Sequence, residues 1–210
     1  MLDAASLLFF IGTSILLIII PGPDLIFTVT QGMTNGRRAG VMTALGLSLG
    51  NIIHTLAAVL GLSLIIQTSA VAFTIFKTLG ALYLFYMAFQ AIRHRKEQLQ
   101  PDSRPEQSRQ TKGLFLRGVL MNILNPKVAV FFLTFLPQFI DYQTGYVPLQ
   151  MFLLGLVFIV LTAVIFGLLG YFAGSFRDRL FGRPRFSEFM NIAAASIFLG
   201  LGIKLLTTKP

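Results

Sequence analysis

Apolar residues fall into six stretches of membrane length, 4–30, 39–66, 70–92, 113–140, 147–173 and 189–206, separated by polar or basic segments. A helix needs about 20 residues to cross a hydrocarbon core, so the pattern predicts an all-α integral membrane protein with six transmembrane helices. Two of the stretches are interrupted from within. Pro21-Gly22-Pro23-Asp24 breaks the first, and Asn125-Pro126-Lys127 breaks the fourth. Proline lacks an amide hydrogen and collides with the preceding turn, while Gly22 between two prolines loosens the backbone further. Carbonyls freed in this way are tolerated at membrane depth only inside protein or against a wet cavity. The first and fourth helices are therefore expected to be broken; at the first, Asp24 favours a discontinuous helix forming part of a transport site over a simple packing kink.

Residues 93–112 are polar, proline-containing and mixed in charge, with no apolar face at helical spacing. They read as a solvated cytoplasmic linker inside a single transmembrane domain, 1–210. The linker divides the chain into repeat one, 1–92, and repeat two, 113–210. With three spans in each, the second repeat sits inverted relative to the first. The matched breaks support this symmetry more strongly than the weak likeness of 80–89 to 194–203.

Composition strengthens the membrane assignment. Apolar residues make up 55% and charged residues 12%, where soluble domains carry about 25% charged residues. Cysteine is absent and the two histidines, His54 and His94, are far apart, so neither a disulfide, a metal site nor a cofactor is expected. The net charge of +9 does not indicate nucleic acid, because the basic residues flank the apolar stretches. Thirteen lie in or beside the loops after the first, third and fifth stretches, and two, Lys204 and Lys209, lie toward the opposite side. This bias places the three basic loops in the cytoplasm and both termini outside. Met1-Leu2-Asp3 lacks the basic flank of a signal sequence, so the first stretch is expected to remain as a permanent span.

Lys127 lies 14 residues after Gly113 and 14 before Asp141, roughly 20 Å from either surface by helical rise and beyond snorkelling reach. An ammonium there costs at least ~2.5 kcal/mol and requires a partner or a wet cavity; a purely structural ion pair is the alternative. Asn125 suits an N-cap and Pro126 a first helical turn, so a half-helix would start there with its positive dipole end at the bilayer centre. Pro23 does the same for residues 24–30. Two such starts and Lys127 would receive a carboxylate, while Asp24 would hold an ammonium or exchange a proton.

Lys77 fits two descriptions equally, a site residue or a lysine snorkelling to the outer surface. Gly46, Gly50, His54, Ala57 and Gly61 recur at intervals of three and four and read as a close-packing stripe. Asn51 and His54 lie one turn apart on or beside it, facing protein; His54 fits a satisfied interior histidine better than a proton relay. Asn122 is expected to meet carbonyls freed by Pro126. The 21 phenylalanines show no cofactor pattern and read as lipid-facing bulk.

In this order and at this length, several motifs together make the chain resemble the lysine-exporter superfamily, in particular its homoserine/threonine-efflux branch of LysE/RhtB type. They are Pro21-Gly22-Pro23-Asp24, 32–40 with Arg37-Arg38, 46–51, Lys77 with Gly80-Ala81-Leu82-Tyr83, and 122–136 with Asn125-Pro126-Lys127. The resemblance implies a bacterial inner-membrane exporter of amino acids or their derivatives, driven by proton antiport, with Asp24, Lys77, Pro126 and Lys127 at family-motif positions. Asp24 is the one acidic residue well inside a span, so a neutral substrate such as homoserine, threonine or leucine is expected ahead of a basic one. Its partners would be the amino acid, protons and the bilayer, and a homo-oligomer is compatible with the sequence. The competing readings are export of a basic amino acid or a metal cation, a membrane-embedded enzyme, and a passive scaffold. An enzyme would need a nucleophile, metal or acid–base cluster, and none is visible.

Overall fold

The computed structural model describes residues 3–62, 70–95, 111–176 and 184–207. These form helices throughout, with no strand among the described residues. In chain order they are α1 (Ala4–Ile19), α2 (Pro23–Thr34), α3 (Arg37–Ala57), α4 (Ala70–Arg93), α5 (Thr111–Ile123), α6 (Pro126–Val130), α7 (Val147–Phe176) and α8 (Pro184–Thr207). A π-helical turn, Ala58–Leu62, extends α3; a second, Phe131–Phe135, followed by a 3-10 turn, Leu136–Phe139, extends α6. The end of the second predicted stretch and most of the predicted linker 93–112 lie outside the described residues.

Three segments, Arg37–Gly61, Val147–Ala173 and Glu188–Thr207, are long and apolar enough to cross a membrane. The two interrupted stretches become helix pairs bent by 60° between α1 and α2 and by 48° between α5 and α6, and counting each pair as one span raises the number to five. The local chemistry explains both bends. Gly22 is extended at φ −168°, Pro23 opens α2, and no side chain caps that start. At the second break Asn125 is extended and Pro126 opens α6, as expected for a residue that cannot donate a hydrogen bond but has its φ preset for helix.

Helix α3 is the centre of the bundle, packed along α7 on one side and α5 on the other, while α4 pairs with α8. Backbone contact makes these packings tight. A Cβ on Gly46 would run into the carbonyl of Phe115, and one on Gly50 into the Asn122 side chain. On the far side of α3, Gly40 faces the backbone of Gly170. Gly46→Leu is expected to destabilise the bundle by at least ~1–3 kcal/mol, because the backbone of α5 cannot yield locally; a lowered thermal midpoint in detergent would show it.

Two expectations are corrected here. The small-residue stripe holds for Gly46, Gly50 and His54, but Ala57 and Gly61 are exposed, with open space at Gly61. Ala57 stands beside the buried face, which runs from His54 to Ala58 four residues on, and the wider π-helical turn at Ala58–Leu62 carries Gly61 off that face. The phenylalanines are not mainly lipid-facing bulk. Phe10, Phe131, Phe132, Phe135, Phe139 and Phe158 are buried in the core, joined by ring contacts such as Phe131–Phe158 at 4.9 Å and Phe10–Phe139 at 5.1 Å. Val128, Phe131, Phe132, Phe135 and Phe139 recur at intervals of three and four, so they share one face of the α6 segment, and that face is turned inward.

Candidate functional site

The first break leaves specific groups without partners. Pro21 and Pro23 have no N–H, so the carbonyls of Leu17 and Ile19 lose the donors four residues on, and the bend removes the next donor from Ile20. The Lys127 ammonium, buried at 5% exposure, donates to Leu17 O at 3.2 Å and Ile20 O at 3.1 Å. A cation at the C-terminal end of α1 is also favoured by that helix's dipole. Gly22 leaves room for it: a Cβ there would come within 3.2 Å of the Lys127 Nζ.

The second break is met in the same way from the opposite half of the chain. Pro126 deprives the Asn122 carbonyl of its donor four residues on. That carbonyl accepts instead from the Asn125 N–H at 2.9 Å and from His54 Nε2 at 3.0 Å, so the hydrogen on His54 sits on Nε2. Asn125 caps α6 through its Oδ1, which accepts from the Lys127 N–H at 3.0 Å. A lysine of the second half thus closes the break of the first, and a histidine of the first closes the break of the second.

Asp24 lies in the first turn of α2 at 2% exposure. Its Oδ2 accepts from Asn122 Nδ2 at 2.9 Å, while Oδ1 has no partner. This corrects the expectation for Asn122: its side chain serves Asp24, and its own carbonyl is the freed group. Asn51 donates weakly to Leu47 O at 3.4 Å, and its Oδ1 is unpartnered, as are Asn122 Oδ1 and Asn125 Nδ2. Buried polar atoms left without a bond are costly, so such a cluster marks a place organised for something other than packing.

Asp24, Asn51, Asn122 and Lys127 line one cavity with Leu17, Ile18, Val128, Phe158, Thr162 and Phe166. It offers about 10 Å³ to the centre of a water-sized sphere, at the threshold for holding a single water. Asp24 and Lys127 face this space without forming a direct ion pair. The structure therefore brings together Asp24, Lys127 and Asn51, with Asn125 capping the helix that carries Lys127. His54 reaches the break itself, and stacks on Phe132 at 5.8 Å, but does not line the cavity. Lys77 is half-buried on α4, outside the cavity lining. Pro21, Gly22, Pro23 and Pro126 act through the backbone, as the broken helices require. The α7 wall, Phe158, Thr162 and Phe166, has no counterpart among the sequence candidates. Thr162 donates to its own helix at Phe158 O, 2.8 Å, and two phenylalanines in a continuous apolar run give no signal of a lining role. No group of three metal-ligating side chains occurs among the described residues.

A family model described as LysE type translocator matches residues 15–209. The chain is 31% identical to an uncharacterised membrane protein, YrhP, of Bacillus subtilis, over 95% of this chain and 97% of that one. It is 29% identical to an uncharacterised membrane protein of Vibrio cholerae over 99% and 100%, and 26% identical to a leucine efflux protein of Klebsiella pneumoniae over 93% and 92%. No solved structure matches the chain. Members of the matched family are transporters and not enzymes. The chain, a membrane protein built from broken and continuous helices, belongs to the LysE type translocator family.

Proposed function

We propose that this protein is a secondary active exporter of a small neutral amino acid, driven by proton antiport across the bacterial inner membrane. The observation that carries this reading is the placement of Asp24 and Lys127 on one cavity without pairing. Two buried charges of opposite sign that do not neutralise each other are costly. A zwitterion between them would pair both at once, its ammonium on the open Asp24 Oδ1 and its carboxylate on the Lys127 ammonium. Asn51 and Asn122 add two unpartnered acceptors near the ammonium end. A single carboxylate leaves no second anion for a cationic side chain, which favours a neutral substrate over lysine or arginine. The relative from Klebsiella pneumoniae carries the name leucine efflux protein, in keeping with a neutral substrate.

Antiport follows from the same atom. A proton and a substrate ammonium compete for Asp24, so loading one releases the other. A cavity this small admits no amino acid, so transport requires the broken helices to part, first on one side and then on the other. Two inverted halves meeting at their breaks supply the hinge for such alternating access, with the site near the midplane, the basic loops in the cytoplasm and both termini outside. The test is a panel of radiolabelled amino acids in inverted vesicles with an imposed proton gradient. Uphill accumulation of a neutral amino acid, collapsed by a protonophore, is the expected result; gradient-independent movement or none overturns it.

His54 has a structural part in this scheme. His54→Leu leaves the Asn122 carbonyl with the Asn125 N–H alone and is expected to lower stability by ~1 kcal/mol. Proton-coupled export should persist in the folded fraction. Loss of coupling with an unchanged thermal midpoint would make His54 a proton carrier instead.

A further inference from the structure

We propose that Phe9, Phe135 and Phe139 form a cation–π site for an ammonium ligand, in which the ammonium of Lys204 is seated as an internal occupant. Its Nζ lies 3.8 Å from the Phe9 ring centroid and 5.7 Å from those of Phe135 and Phe139. All three are inside the ~6 Å over which a ring face attracts a cation. The rings support one another, with Phe9–Phe139 centroids at 5.7 Å and Phe135–Phe139 at 5.3 Å. Phe135 and Phe139 are buried, while Phe9 is 52% exposed, so the cage is open on one side. It sits where α1 begins, the α6 extension ends and α8 finishes. This is the end of the bundle away from Arg37, Arg38 and Arg93.

The cage is joined to the central cavity by aromatic contact. Phe139 touches Phe135, Phe135 stacks on Phe131 at 5.7 Å, and Phe131 stacks on Phe158 at 4.9 Å, which lines the cavity beside Asp24. Ring faces attract an ammonium without the fixed geometry of a carboxylate, so a cation held there can be exchanged. Once the broken helices part, a substrate ammonium released by Asp24 would reach the cage and displace Lys204 from it. Lys204 would then leave the cage and free the last turn of α8 from α1. This route rests on the export reading; the cage as an ammonium site does not.

The experiment is calorimetric titration of purified protein in detergent with tetramethylammonium. Lys204→Ala removes the side chain that fills the cage, and is expected to bind the probe about tenfold more tightly than the unaltered chain. Lys204→Arg keeps a cation in place and should show no gain. Adding Phe9→Leu to Lys204→Ala should remove the gain, with far-ultraviolet circular dichroism and the thermal midpoint confirming the fold of each variant. If Lys204→Ala destabilises the bundle, Lys204→Ser provides the same vacancy with a polar side chain. Equal affinity in all folded variants, or a gain that survives Phe9→Leu, overturns the cage. Gained binding in a protein that exports no amino acid would leave the cage standing and remove the export reading. Undiminished export by Phe9→Leu would confine the cage to binding and remove the route.

Discussion

Asp24→Asn is expected to reduce proton-driven export at least a hundredfold while the protein still inserts and folds. The structure separates these two outcomes. Asn122 Nδ2 donates to a single oxygen of Asp24 at 2.9 Å, and an asparagine can present its carbonyl oxygen to that donor. The replacement therefore keeps the hydrogen bond that holds α2 against α5. What it removes is the charge on a buried group whose other oxygen has no partner. Without the charge the site neither holds an ammonium nor exchanges a proton, so both steps of antiport are lost. The measurement is uptake into inverted vesicles under a proton gradient, with membrane content and thermal midpoint followed in parallel. Uphill export at the unaltered rate would remove Asp24 from the mechanism.

Lys127→Ala carries the second large effect, and here stability and transport should fall together. Removing the ammonium leaves the carbonyls of Leu17 and Ile20 without the donor that meets them at 3.2 and 3.1 Å. At ~1–3 kcal/mol for each buried group left unsatisfied, the expected loss is about 2–6 kcal/mol, softened where water enters the enlarged cavity. The proposed partner of the substrate carboxylate disappears as well, so export should be abolished even in the fraction that folds. Lys127→Arg preserves the charge but places a planar guanidinium in a cavity sized for one water, and partial export is expected. A folded Lys127→Ala protein that exports at a normal rate would reduce Lys127 to a repair of the helix break. An unchanged thermal midpoint would show that the two carbonyls find other donors.

Both of these residues stand out in the sequence itself, for an energetic reason. A charge placed near the middle of an apolar run cannot be explained by topology or by snorkelling, so it needs a purpose. The caps and breaks were equally legible, because they depend on residues adjacent in sequence. Pro21, Pro23 and Pro126 remove their own N–H groups, and Asn125 accepts from an amide two residues on. The role of Asn122 was not legible. Its polar amide stands one turn before Pro126, and nothing in that spacing distinguishes repairing the break from holding Asp24, 98 positions away in sequence. Nor was the use of phenylalanine, since a ring facing lipid and a ring facing the core have the same composition. The spacing of 131, 132, 135 and 139 puts those rings on one helical face, but spacing does not say whether that face meets lipid or the core.

By itself, the sequence determined that this is a helical membrane protein, where two of its helices break, and which ionisable residues lie inside an apolar run and so need a partner. These features follow from local hydrogen-bond supply and from the cost of polar groups in hydrocarbon, and both can be evaluated a few residues at a time. The tertiary structure alone decided who answers the breaks: Lys127 for the carbonyls of Leu17 and Ile20, and His54 for that of Asn122. It also decided that Asp24 and Lys127 share a cavity without neutralising each other. Such pairings depend on how α3 lies between α5 and α7 and on how far each broken helix bends, and the energies involved belong to contacts between segments distant in the chain.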